Sequence, residues 1–175
     1  MIQYLVVEHF AVASMGMENA SSSSTVQREY DVFISFRGED TRNNFMDHLY
    51  NALIGKCINT FRDDEKLERG KPISLELLKA IEESRFAVVI LSKDYASSPW
   101  CLDELAKIIA CKEDMGMIVL PVFHHVEPSD VRKQMGTFAR AFIKHEEEEK
   151  TRVDKWRDAL RQVGNLAGWH LKDTR

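Results

Sequence analysis

Trp100 and Glu104 stand four residues apart near the start of a predicted helix, the spacing that puts two side chains on one helical face. A carboxylate beside an indole is a candidate ligand-handling pair wherever the fold brings it to a cleft. A plainer reading competes with it. Acids in the opening turns of a helix offset the helix dipole, typically by about 0.3–1 kcal/mol. Asp103 would serve that purpose equally well, so the position of Glu104 alone does not decide. Arg37, Arg42, Arg62 and Arg69 lie in or beside loops that follow strands, where guanidinium forks suit phosphate oxygens. Taken singly, each is ordinary surface charge.

Other chemical motifs are absent. Gly70-Lys71 is followed by Pro72, so there is no phosphate-binding P-loop, and neither a dinucleotide GxGxxG nor a hydrolase GxSxG occurs. His124-His125 beside Glu127 offers metal-type side chains without a partner motif. They are read as solvent-exposed loop histidines, and no metal is expected. A phospho-acceptor receiver domain would need an aspartate ending the third strand, where this chain has Ile90-Leu91-Ser92.

The elements that position these residues alternate strand and helix. Tyr30–Phe36 is β-rich and closes on the turn 37–40, and a helix over 41–56 places Phe45, Leu49 and Leu53 on one face. Ile58–Phe61 is a short strand. A charged loop, 62–71, leads into a helix with Ile73, Leu77 and Ile81 aligned. Phe86–Leu91 is a continuous apolar run, as a strand buried on both faces requires. Pro99 opens the helix that carries Leu102, Leu105 and Ile109 inward. Met117–Phe123 is a fourth strand, with Pro121 expected near its end or on an unpaired side. A long loop over 124–134 precedes a helix with Phe138, Ala141 and Phe142. A last helix carries Val153, Trp156, Leu160, Val163 and Ala167, and Trp169–Leu171 is a short fifth strand.

This alternation predicts an α/β fold: a flavodoxin-like, doubly wound, five-stranded parallel sheet of order 2-1-3-4-5. Ligands of such sheets bind beyond the carboxyl ends of strands 1 and 3, where the order reverses. Those ends are residues 36–40 and 92–100, which brings Trp100 and Glu104 to the predicted cleft.

The 175 residues suit one domain, and a net charge of −4 with interspersed signs gives no nucleic-acid footprint. Cys57, Cys101 and Cys111 are odd in number and form no CxxC, so reduced thiols in the cytoplasm or nucleus are expected. Near the start, Tyr4–Val7 and Phe10–Ala13 are apolar but interrupted by Glu8 and His9. The stretch is too short and polar to span a membrane and lacks the positive start of a secretory signal, although Ala11-Val12-Ala13 has the form of a cleavage site. Met15 and Met17 are alternative starts, and Ala20 stands where a myristoylation motif after Gly16 wants Ser or Thr. Residues 1–29, with Ser21–Ser24, read as a disordered leader to a domain over 30–175.

Longer motifs then carry a resemblance. Tyr30–Arg42 (YDVFISFRGEDTR) resembles the opening of plant TIR domains, the Toll, interleukin-receptor and resistance-protein modules of intracellular immune receptors. It continues through Ile58–Asp64, Leu67–Gly70, Leu77–Ser84, Ser98–Leu105, Val126–Gln134 and Gly168–His170. The resemblance covers nearly all of residues 30–171. It implies the same flavodoxin-like fold and an NAD(P)-cleaving activity that releases nicotinamide and makes ADP-ribose-type signals, with NAD+ or NADP+ as substrate and no further cofactor. By this resemblance Glu104 corresponds to the catalytic glutamate and Trp100 to its companion. Phe36, Arg37, Gly38 and Arg42 correspond to cleft-lining positions. The segment 62–73, with Arg62, Arg69, Gly70 and Lys71, corresponds to a loop that closes the site and packs on a neighbouring subunit.

Homotypic TIR domains are the implied partners. Nucleotide-binding and leucine-rich repeat regions in a longer chain, and lipase-like helpers reached through nucleotide products, complete the implied set, with no nucleic acid or membrane. The helix-A contact of the family often carries a Ser-His pair. Here it is Asp47-His48, which keeps the histidine alone. His124-His125 stands where Tyr-Asp is commoner. The family places a helix after Gly-Trp-His, whereas this chain reaches Arg175, so that helix is expected to be truncated and one sheet face partly uncovered. A TIR-only product and a receptor fragment both fit, and a catalytic domain and a non-catalytic TIR–TIR scaffold remain the competing functions.

Overall fold

A computed structural model describes residues 2–17, 28–38, 45–62 and 73–172. Five parallel strands form one sheet in the order β2-β1-β3-β4-β5: β1 (Tyr30–Ser35), β2 (Thr60–Arg62), β3 (Ser84–Leu91), β4 (Ile118–His124) and β5 (Trp169–Leu171). The helices are α1 (Ile2–Met17), α2 (Asp47–Gly55), α3 (Leu75–Glu82), α4 (Pro99–Met115), α5 (Pro128–Lys133), α6 (Thr137–Glu148) and α7 (Val153–Gly164). The expected strand order is the observed one.

Strand periodicity divides the core in two. Phe33, Ala87, Val89 and Leu91 face a layer that includes Leu77 and Ile81 of α3, Leu102 and Leu105 of α4, and Trp156 and Leu160 of α7. Val32, Ile34, Phe86, Val88 and Ile90 face the other layer, with Leu49 and Leu53 of α2. The register runs Val32↔Phe86 to Ser35↔Val89 between β1 and β3, and Phe86↔Ile118 to Leu91↔Phe123 between β3 and β4. The carboxyl ends of β1 and β3 therefore finish side by side, at the point where the strand order reverses.

The amino-terminal segment departs from the expectation of disorder. Residues 2–17 form α1, and Val6, Val7 and Phe10 are buried on the second layer. Phe10 meets the Phe86 ring edge-on at 4.9 Å, and His9 meets Trp169 at 5.6 Å. Glu8 and His9, taken in the sequence as an interruption, lie on the exposed side of the helix, while Val6 and Phe10 are one helical turn apart. The second layer of the sheet thus carries α1 beside α2. Two further residues of the expected leader are tied down: Arg28 Nη2 donates to the Met115 carbonyl at 2.8 Å, and the Glu29 carbonyl accepts from Asn59 Nδ2 at 2.7 Å. Residues 18–27 of that leader lie outside the described residues.

Smaller shifts have local causes. The second strand begins at Thr60, after Cys57 turns with φ 59°, rather than at Ile58. The long loop after β4 contains α5, opened by Pro128. Ala167 lies beyond the end of α7 and is exposed rather than part of its apolar stripe. Pro121 is in the middle of β4, not at its end. Its carbonyl faces Gly168, and β5 pairs only from Val122 onward. A Cβ on Gly168 would fall 2.1 Å from that carbonyl oxygen, so only glycine lets β5 begin so close to the proline.

Replacing Phe10 with Ala should lower unfolding free energy by about 3 kcal/mol, the usual cost of emptying a buried aromatic site. Urea denaturation checks it, and an unchanged midpoint would mean that α1 does not stabilise the sheet.

Candidate functional site

The helix that carries Glu104 has a well-defined start. Ser98 accepts the Cys101 N–H on its hydroxyl at 3.2 Å, Pro99 occupies the first turn, and Gly116, at φ 69°, ends the helix. Trp100 and Glu104 follow directly on this cap, beside the ends of β1 and β3.

Glu104 is 3% exposed. A buried carboxyl group needs hydrogen-bond donors, and the end of β1 supplies one. Ser35 donates from Oγ to Glu104 Oε2 at 2.7 Å. The Tyr95 hydroxyl lies 2.8 Å from Ser35 Oγ and donates to the Cys101 carbonyl at 3.0 Å. Cys101 Sγ in turn donates to the Phe36 carbonyl at 3.7 Å. The chain of contacts runs from strand to helix and back, and it sets the orientation of the carboxyl group. Ser35 and Tyr95 were not singled out in the sequence. A serine closing the apolar run Val32–Ile34 was the signal for the first. Tyr95 offered none, because it sits in a short 3₁₀ turn, Tyr95–Ser97, between β3 and α4.

The neighbouring acid behaves differently. Asp103 accepts from Arg152 Nη1 at 2.6 Å and from Trp156 Nε1 at 2.9 Å, and the Arg152 guanidinium lies 4.9 Å above the Trp156 ring. Asp103 therefore fastens α4 to α7. The helix-dipole account does not set the two acids apart, but their partners do: Asp103 joins two helices, and Glu104 turns to the sheet end. Trp100 packs against the core, and its Nε1 is buried without a hydrogen-bond partner among the described residues. An indole donor without an acceptor is uncommon in a protein interior.

The site lies in a family context. The family model of the TIR domain matches residues 29–175. The chain belongs to the TIR domain family. The TIR chain is 54% identical over 167 residues to disease resistance protein RPV1 of Vitis rotundifolia, covering 94% of this chain and 12% of that protein. It is 53% identical over 152 residues to TMV resistance protein N of Nicotiana glutinosa, covering 85% of this chain and 13% of that protein. The TIR chain thus spans a small fraction of these curated relatives. Among solved structures, the TIR domains of the activated Roq1 resistosome, which directly recognises the pathogen effector XopQ, match with a TM-score of 0.75 and 56% identity. The match covers 83% of this chain and 90% of that one.

The remaining candidates of this TIR domain fall in several places. Phe36 is buried and joined to the start of α4 through Cys101, and Arg37 and Gly38 follow it directly. Arg62 donates to Asp47 Oδ1 at 2.9 Å and lies 4.3 Å above the Tyr50 ring, which links an expected substrate residue to an expected self-association residue on α2. His48 is exposed on the same helix. Arg42, Arg69, Gly70 and Lys71 lie outside the described residues. His124 belongs to β4 rather than to the following loop, with its ring 5.7 Å from Phe45. Glu127 approaches His170 at 3.8 Å and Lys172 at 3.9 Å.

Burial pushes the Tyr95 phenol well above its ordinary range. The neighbouring Cys101 and Glu104 acids add to the rise, and the Ser35 hydrogen bond opposes it. The folded state then holds this proton more tightly than the unfolded chain. The contribution is complete below about pH 10 and declines as pH rises above it, where the unfolded phenol ionises first. Urea midpoints should therefore fall less between pH 9 and pH 11 in Tyr95→Phe than in the parent. Equal slopes would show that Tyr95 does not carry this linkage.

Proposed function

We propose that this TIR domain is a plant immune signalling module that self-associates and cleaves NAD+ or NADP+ at the bond between nicotinamide and ribose. The carrying observation is Glu104: a buried carboxyl group held by Ser35 where the ends of β1 and β3 meet, one helical turn from Trp100. A reaction with so few groups is chemically sufficient. The C1′–N bond breaks with its electron pair going to the pyridinium nitrogen, so nicotinamide leaves neutral and needs no general acid. Water then adds to C1′ and releases a proton, giving the ADP-ribose-type product.

What remains for the protein is to stabilise an oxocarbenium-like ribose and hold its hydroxyl groups, which one oriented carboxylate can do. Trp100, one helical turn before it with an unused indole N–H among the described residues, would border the nicotinamide–ribose end. Phe36, Arg37, Gly38, Arg42, Arg62 and Arg69 would complete the substrate cleft.

Assembly belongs to the same proposal. The similar Roq1 TIR domains are part of a resistosome. In this chain, exposed His48 on α2, with Asp47, Gly70 and Lys71, would meet neighbouring TIR copies. Nucleotide-binding and leucine-rich repeat regions would belong to a longer protein, and lipase-like helpers would receive the nucleotide signal in the cytoplasm or nucleus.

A second reading, a TIR–TIR scaffold without catalysis, takes the same burial and hydrogen bonding of Glu104 as a structural anchor. Nicotinamide release by concentrated protein separates the two. Glu104→Gln keeps the side-chain volume and should lower release by about 100-fold or more. Release equal to the parent removes Glu104 from the mechanism, and none from the parent under assembling conditions leaves the scaffold. Asp103→Asn provides the converse control. It should lower stability by about 1 kcal/mol through the weakened Arg152 contact while nicotinamide release persists.

A further inference from the structure

On the side of the 3₁₀ turn away from Ser35 lies an open cavity of about 360 Å³ between this turn and α6. Lys93 enters from the end of β3. Thr137, Arg140 and Lys144 line it from positions i, i+3 and i+7 of α6, and Ser97 adds a hydroxyl from the turn. Lys93, Arg140 and Lys144 form no ion pair among the described residues. Asp94 also borders the space, which leaves three cations against one carboxylate. The lining therefore carries a formal excess of two positive charges. At the α6 start, Gly136 offers no side-chain cap, and Thr137 is its first residue.

His145 borders the same cavity and is 2% exposed. Its Nε2 lies 2.7 Å from the Ala96 carbonyl. A carbonyl only accepts, so Nε2 carries the hydrogen and donates. Nδ1 is buried and has no partner among the described residues. With the hydrogen on Nε2, Nδ1 is an acceptor and offers a phosphate oxygen no donor, so His145 fixes the cavity wall through Ala96 rather than holding an anion.

We propose that this cavity is a binding site for a small phosphate-bearing anion, such as a phosphomonoester or a diphosphate. Two net positive charges match a phosphate dianion, a guanidinium and two ammonium groups are its usual donors, and two hydroxyls complete the set. The volume, at the small end of ligand pockets, admits a phosphate with a sugar or nucleoside attached.

The site also has a mechanical connection to Glu104. The turn that forms its wall holds Ala96 against His145 on one side and Tyr95 against Ser35 on the other. An occupant that steadies the turn would steady the Ser35–Glu104 contact. This regulatory part rests on the proposed NAD cleavage, whereas the binding part does not.

The test is calorimetric titration of the intact chain with AMP, inorganic diphosphate and, as a control, adenosine. Both anions should bind and adenosine should not. Arg140→Gln combined with Lys144→Gln, both exposed positions, should weaken binding at least about tenfold, because two charge-assisted hydrogen bonds are lost. Diphosphate binding as tightly as AMP identifies the phosphate group as the whole ligand, and tighter AMP binding identifies a nucleotide. Either outcome supports the site. Absence of binding by both anions, or affinity unchanged in the double variant, overturns it. Nicotinamide release measured with and without AMP tests the connection: a change in the parent that is lost in the double variant supports it, and equal rates overturn it. Anion binding by a chain that releases no nicotinamide would leave the site standing while the proposed cleavage failed.

Discussion

β1 and β3 are apolar on both faces, and neither face can be left to water. Val32 and Ile34 point one way and Phe33 the other, and Phe86 to Leu91 alternate in the same manner. Parallel strands of this kind need helices on each side, and right-handed crossovers deliver them. That demand places α2 and α1 on one face and the packed layer of α3, α4 and α7 on the other. It also fixes where the strand order reverses, so Ser35, which closes β1, is left beside the end of β3. The site is a by-product of covering the sheet.

At that spot, adjacent acids on one helix take opposite tasks because a helix rotates successive residues by about 100°. Asp103 points toward α7 and holds Arg152 and Trp156. Glu104 points toward the sheet end and receives Ser35. A buried carboxyl group that accepts from a rigid strand is well positioned, since this donor and the helix that carries the acid both belong to regular structure rather than to loops. The 3₁₀ turn then becomes the connection of interest, because Tyr95 reaches inward to the site and Ala96 outward to His145.

The sheet was legible in the sequence wherever a period was long enough to be read. Phe86–Leu91 and the stripe of Leu102, Leu105 and Ile109 admitted few alternatives, and together with the order of elements they placed Glu104 at the strand ends. α1 was missed because two polar residues in an apolar stretch look like an interruption when read along the chain, yet fall on one outer face when wound into a helix. Pro121 was expected near a strand end or on an unpaired side because a missing N–H normally costs a ladder bond, and the second alternative is the one observed. It survives in the middle of β4 because β5 has not yet begun beside it. The supports of Glu104 were the least legible part. Hydrogen bonds that join residues 60 and 69 positions apart have no local period, and a lone Tyr in a loop looks like any other.

Gly168 has a consequence for the behaviour of the protein in solution. β5 is three residues long and closes the open side of β4 only through the register Val122↔Trp169 to His124↔Leu171. Any side chain at residue 168 would press on Pro121 and lift this short strand away. β4 would then become the sheet edge, presenting unpaired backbone groups beside buried Val122 and Phe123, the kind of edge that recruits strands from other molecules. The hydrogen atom that glycine carries in place of a methyl group is what lets β5 stay paired along β4.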